Sequence, residues 1–168
     1  ESGKSMLIKT SVENYKICNK KLLSLINKNK FKNILSKNEK ISRTDWNISN
    51  NQTPYIKYFI KMIKPYLDNL SPVLNSKKWE IDNIWFQQYK KDDFHNWHSH
   101  AKSNFSAVYY VELPKNSQTK FYNKTNIDLE EGDFILFPGS WYHRSDKIKN
   151  KRKTIISFNC SFTEFTEK

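Results

Sequence analysis

Two histidines two residues apart, leading straight into a strand-forming run, constrain this chain more than any other feature. Asp93 to Val111 reads D-F-H-N-W-H-S-H-A-K-S-N-F-S-A-V-Y-Y-V and holds three of the four histidines, His95, His98 and His100. On an extended chain His98 and His100 leave the same face, because side chains alternate with a period of two. The fourth, His143, ends a second apolar segment, Asp133 to His143, that follows the turn at Glu131-Gly132. A third imidazole arriving from another strand allows three ligands to meet at one metal ion. Neutral imidazole suits iron, zinc, copper and nickel. The plainer alternative places His95 and His98 in a surface loop and His143 at a strand cap. For any single histidine that alternative is the better one, and the two flanking strand patterns shift the balance toward a metal site.

The rest of the chain reads as helices followed by strands. Val12 to about Leu35 has apolar residues at helical spacing, with Ser11 or Asn14 as N-cap. Asn38 to Pro54 is polar and reads as a loop around Trp46. Tyr55 to Leu70 is a stronger helix, with Ile56, Phe59, Ile60, Ile63 and Leu67 on one stripe and Pro65 predicted to kink or split it. From Lys78 the period changes. Strands are predicted through Phe86–Tyr89, Ala107–Leu113, Lys120–Tyr122, Asn126–Leu129, Asp133–Phe137 and Lys153–Phe162, with Glu130-Glu131-Gly132 as a hairpin-like turn. Helices first and short strands after argue an α+β chain with an antiparallel sandwich or barrel in its C-terminal half. The expected organisation is one domain over 1–168, mainly helical over 11–70, with the sheet core over 79–163. Gly3-Lys4-Ser5 imitates the end of a phosphate-binding loop but lacks its upstream glycine and strand.

Composition narrows the class. The chain of 168 residues is 37% hydrophobic but 15% aromatic, so aromatic rings supply much of the core. No apolar run reaches the roughly 20 residues that cross a bilayer. Two cysteines, Cys18 and Cys160, form neither a disulfide framework nor a paired metal motif, and reduced thiols in the cytoplasm are the expectation. The net charge of +12 predicts salt-sensitive attraction to polyanions. Only Arg43, Arg144 and Arg152 are arginine, whereas base-edge recognition favours Arg, so nucleic acid enters as a partner on net charge alone.

Taken together, Gln87–Val111, Leu129–His143 (L-E-E-G-D-F-I-L-F-P-G-S-W-Y-H) and Arg152–Asn159 (R-K-T-I-I-S-F-N) resemble the 2-oxoglutarate and iron(II)-dependent oxygenases. The nearest likeness is a bacterial and phage branch with an H-x-H, S-G-V-Y-Y-V, E-G-D-x-x-x-F-P and R-x-S-x-S-F-N pattern. The resemblance covers Trp79 to Phe162, about half the chain. It implies a double-stranded β-helix (a jelly-roll, or cupin-like, barrel) with helices packed outside. The implied metal ligands are His98, His100 and His143, with His100 where most of the superfamily has a carboxylate. The implied cofactors are Fe(II), 2-oxoglutarate as cosubstrate and O2. The distal carboxylate of the cosubstrate falls to Lys153, which shares a strand face with Ser157 and Asn159, rather than to Arg152 on the other face. The branch has Arg where Lys153 stands, so bidentate pairing would be lost. Tyr110 matches a position that hydrogen-bonds the same carboxylate. Gln87 and Tyr89 face the pocket, with ordinary barrel filling an equal alternative. No separate general base is assigned, and Asp92 and Asp93 read as solvated turn caps.

Three functions follow, in this order: a dioxygenase hydroxylating a small molecule, peptide or nucleobase; a three-histidine cupin dioxygenase without 2-oxoglutarate; and a noncatalytic basic jelly-roll module binding a polyanion. A carboxylate anchor at Lys153 separates the first from the second. Substrate contacts are expected from loops, here Thr44–Gln52 with Trp46, and Trp97 and Trp141, with Ala101–Phe105 as a lid.

Overall fold

Period-two alternation sorts the long strands into two buried faces. The computed structural model describes residues 7–100 and 102–166, so Gly3–Ser5 and Ala101 of the expected lid lie outside the described residues. Its elements are β1 (Ile8–Ser11), α1 (Tyr15–Asn27), β2 (Lys32–Leu35), β3 (Glu39–Thr44), α2 (Pro54–Val73), β4 (Ser76–Tyr89), β5 (Phe94–His98), β6 (Phe105–Glu112), β7 (Lys120–Phe121), β8 (Asp133–Pro138), β9 (His143–Ser145) and β10 (Lys153–Phe165). The strands form one antiparallel sheet in the order β1-β8-β6-β10-β4-β3-β5-β9-β7, with β2 on β3.

On β6, Ala107, Tyr109 and Val111 face the helices while Val108 and Tyr110 face inward. Phe134 and Leu136 of β8 and Ile156, Phe158 and Cys160 of β10 join the helix side. Ile135, Phe137 and Ile155 join the inner side. Strands covered on both faces have no polar face to show, which is why these segments read as nearly continuous apolar runs. The inner cluster is completed across the barrel by Ile41 of β3 and Phe121 of β7.

Helix α2 closes the outer layer with the stripe predicted for it: Ile56, Phe59, Ile63 and Leu67 are fully or almost fully buried. The Phe59 ring sits 5.5 Å from both Tyr109 and Phe158, tying the helix to the centre of the sheet. Pro65 neither ends nor splits it. Pro65 and Lys61, whose carbonyl loses its donor, both lie on the exposed face, so no buried polar group is left unpaired by the proline. Asn14 is the N-cap of α1, but in the left-handed region (φ 57°) and without a side-chain cap bond.

Three segments depart from the sequence reading. The stretch 11–70 carries both helices but also β2 and β3, and β1 precedes it. Strand β3 reads as loop because only Ile41 in it is apolar; its buried Thr44 is held by a hydrogen bond instead, Oγ1 donating to the Phe86 carbonyl (2.6 Å). Residues 126–129 are not a strand, since Leu129 is held instead by Gln118, whose amide bonds both its N–H and its carbonyl.

Candidate metal centre

β5 and β9 lie side by side, with His98 opposite His143, and His100 follows two residues beyond the end of β5. One ligand atom from each imidazole lies within 4.8 Å of those of the other two, and no other such group occurs among the described residues. The position of His100 depends on a close approach. Its N–H donates to the Gly139 carbonyl (2.8 Å), and Gly139 N–H donates to Asn104 (3.1 Å). A Cβ on Gly139 would stand 2.7 Å from the His100 carbonyl and 2.3 Å from that of Ser103, so only glycine fits there.

Each ring is oriented through Nδ1. His98 Nδ1 is 2.7 Å from the Asn96 carbonyl, His100 Nδ1 is 2.7 Å from Asn159 Oδ1, and His143 Nδ1 is 3.2 Å from the Trp141 carbonyl. A carbonyl oxygen only accepts, so each Nδ1 carries the proton and each Nε2 keeps its lone pair. Burial holds all three below the ordinary imidazole range, His98 at about 4, with the neighbouring imidazoles adding to the effect at His98 and His143. Three neutral, oriented imidazoles with ligand atoms brought within 4.8 Å of one another are the donor set that a divalent first-row metal needs. The residues fit the ion.

His95, which is outside the ligand set, is not a surface loop residue. Its side chain is only 17% exposed, with Nε2 3.3 Å from Glu39, and its ring stacks on His98 at 3.5 Å and 6°. Burial first, then His98 and His100, push it down to about 3. It stands where two spaces meet. The inner one, about 380 Å³ with its mouth, is walled by the three ligands, Gln87, Tyr89, Thr119, Ser157 and Lys153. The outer, about 1210 Å³ and open, is lined by Trp46, Trp85, Glu39 and Lys102.

Lys153 is fully buried and faces the inner space, donating to the Ser117 carbonyl (2.7 Å) and Ser145 Oγ (3.1 Å). Burial pulls its ammonium down to about 7, with Asp146 opposing the shift. Arg152, one residue earlier, points outward and pairs with Glu112 at 2.8 Å. The other expected site residues divide. Tyr89 and Gln87 line the inner space, hydrogen-bonded to each other at 2.9 Å. The Tyr110 hydroxyl is spent on Thr119, which takes its place on the wall. Asn159 lies in the outer space and orients His100; Ser106 also donates to its Oδ1, and its Nδ2 donates to Asn83. Asp93 is not a solvated cap but is buried, accepting from Ser42 N (2.9 Å), Ser42 Oγ and Lys90 N (2.8 Å), which ties β3 to the turn before β5. Of the expected substrate-contacting tryptophans, only Trp46 reaches the cleft. Trp141 packs on Phe121 and Trp97 faces outward.

The fold is the double-stranded β-helix of the 2OG-Fe(II) oxygenases. In sequence, residues 83–128 match the family described as putative 2OG-Fe(II) oxygenase, a span that includes His98 and His100. In structure, the chain is similar to the viral collagen prolyl hydroxylase of Paramecium Bursaria Chlorella virus-1 in its 2OG complex (15% identity, 94% of this chain and 96% of that one, TM-score 0.68). It is likewise similar to a Pseudomonas putida prolyl-4-hydroxylase (11%, 96% and 95%, 0.68) and to an oxidoreductase of the 2OG-Fe(II) oxygenase family from Burkholderia pseudomallei (9%, 96% and 88%, 0.73). No match emerges among curated protein sequences.

Proposed function

We propose that this protein is an iron(II)- and 2-oxoglutarate-dependent dioxygenase that hydroxylates a second substrate. The observation that carries the reading is the pairing, in one cavity, of three Nδ1-anchored imidazoles with a buried ammonium. His98, His100 and His143 would hold the metal, and Lys153 would take the distal carboxylate of the cosubstrate. Bound there, iron and 2-oxoglutarate supply an oxidation in which O2 is consumed, the 2-oxo acid loses CO2 to give succinate, and an oxygen atom is transferred to a C–H bond.

The chain's own part is to bind, orient and exclude water. Lys153 carries more donor capacity than Ser117 and Ser145 use, and burial strengthens an ammonium–carboxylate bond relative to bulk water. Gln87 and Tyr89, already bonded to each other, form a polar wall that packs beside it. Ser157 stands on the same face of β10. The outer space, with Trp46 and Trp85 in edge contact at 4.5 Å, is the place for a small-molecule or peptide substrate.

His100 in place of a carboxylate makes the ligand set neutral, the feature shared with three-histidine dioxygenases that do without a 2-oxo acid. Lys153 favours the cosubstrate reading, since a buried cation facing the metal ligands has no use in the other. The test is anaerobic titration with Fe(II) and then 2-oxoglutarate. A visible charge-transfer band, lost in His98→Ala, followed by succinate release on admitting O2, is expected. Iron binding without a band or succinate would refute the cosubstrate reading and favour the three-histidine one.

A further inference from the structure

The outward face of the β5-β9-β7 edge is a candidate surface turned away from the metal ligands, although Arg144 also borders the inner space. Side chains alternate, so the residues beside His98 and His143 point away from the cavity. Register sets Lys120 opposite Arg144 and Phe121 opposite His143, which puts Tyr142, Arg144, Lys120 and Tyr122 on one outer face. Trp97 joins them from β5: its ring meets Tyr122 edge-on at 5.5 Å, and the Arg144 guanidinium lies 5.3 Å from its centroid. Trp97, Tyr122 and Tyr142 are 39%, 62% and 55% exposed. Arg144 and Tyr122 cover part of Trp97, while the two tyrosines stand more than half exposed. Asp146 spans Lys120 and Arg144, fixing both side chains while cancelling one charge. The patch stays net positive on a chain of charge +12.

From this we infer that the face binds single-stranded nucleic acid, with bases stacking on the exposed rings and phosphates met by Lys120 and Arg144. Flat rings set among cations suit a ligand that is both aromatic and anionic, and an unpaired strand offers its base faces where a duplex hides them. A protein partner would have no need of the surplus charge. A purely anionic chain such as a sulfated polysaccharide would have no need of three exposed rings.

The test is fluorescence anisotropy of labelled 12-mers of uridine and of thymidine at 100 mM salt, with a duplex of equal length and heparin as comparators. Single strands should bind more tightly than either comparator, and preference between the two 12-mers assigns the sugar. Tyr122→Ala and Tyr142→Ala should each weaken binding by about fivefold or more, the range for one stacked base. Tyr142→Phe should restore it. Lys120→Ala should shallow the salt dependence instead. Both tyrosines are more than half exposed, so their loss leaves the fold intact, and far-UV dichroism checks this. No binding of either 12-mer, heparin binding as tight as theirs, or a Tyr122→Ala/Tyr142→Ala double variant that binds like the parent would each overturn the inference.

Discussion

Replacing Lys153 by Met should make the metal-free protein more stable and the cosubstrate site worse. The ammonium falls from 10.5 to about 7 on burial, which at or below neutral pH corresponds to on the order of 5 kcal/mol against folding. Met removes that cost and fills a similar volume. Against it stand two lost hydrogen bonds, to the Ser117 carbonyl and Ser145 Oγ, each worth about 1 kcal/mol. The expected balance is a gain of about 2–3 kcal/mol, or roughly 5–10 °C in Tm for a chain of this size. Binding should move the other way. Removing one partner of a desolvated charge pair costs about 3–4 kcal/mol, so 2-oxoglutarate should bind the iron-loaded variant two to three orders of magnitude more weakly. Because the bound carboxylate needs the charged form, the parent's affinity should also fall about tenfold per pH unit above about 7. Lys153→Arg should lose that pH dependence. Thermal melts with and without iron, and anaerobic titrations at pH 6, 7 and 8, supply the readouts. A Met variant that melts below the parent would show that Lys153 is a structural donor. One that binds 2-oxoglutarate within threefold of the parent would place the anchor elsewhere.

Other outcomes follow from the same geometry. Asn159→Ala removes the acceptor that orients His100 and should weaken iron binding about 10- to 100-fold with little change in fold, as read by competition with a chelator; unchanged affinity would mean the ring needs no orienting partner once Gly139 has placed its backbone. The four histidines all have folded values below the unfolded 6.5, so between about pH 6.5 and 4 the unfolded chain takes up protons that the folded chain refuses. The metal-free protein should therefore lose stability as pH falls from 7 to 5, by up to about 1.4 kcal/mol per unit for each histidine, and urea midpoints that stay flat over that range would contradict the burial of these rings. Phe59→Ala should cost about 3–5 kcal/mol in urea unfolding, because its ring bridges α2 to β6 and β10; a loss under 1 kcal/mol would mean the helix layer packs independently of the sheet.

Features that depend on local period are legible from the residues alone. The α2 stripe, the strands β4, β6, β8 and β10, and the shared face of His98 and His100 were legible because side-chain direction repeats every 3.6 or 2 residues regardless of what lies opposite. Alternation put Lys153 and Arg152 on opposite faces, and the fold turns the first to the cavity and the second to Glu112. Contacts between partners far apart in the chain were not legible in this way. Strand β3 is held by ladders to β2, β4 and β5, so its polar sequence gave no sign of it. The ring orientation of His100 comes from Asn159, 59 residues away, and its backbone position from Gly139. Glu39 meets His95, and Asp93 meets Ser42, only because β3 and β5 pair. Trp46 and Trp97 are both expected from the sequence to contact substrate, and the curl of the sheet puts one in the cleft and the other on the outer face. A side chain's partner across the barrel is set by register, and register is fixed by the sum of contacts over the whole sheet rather than by the residues beside it.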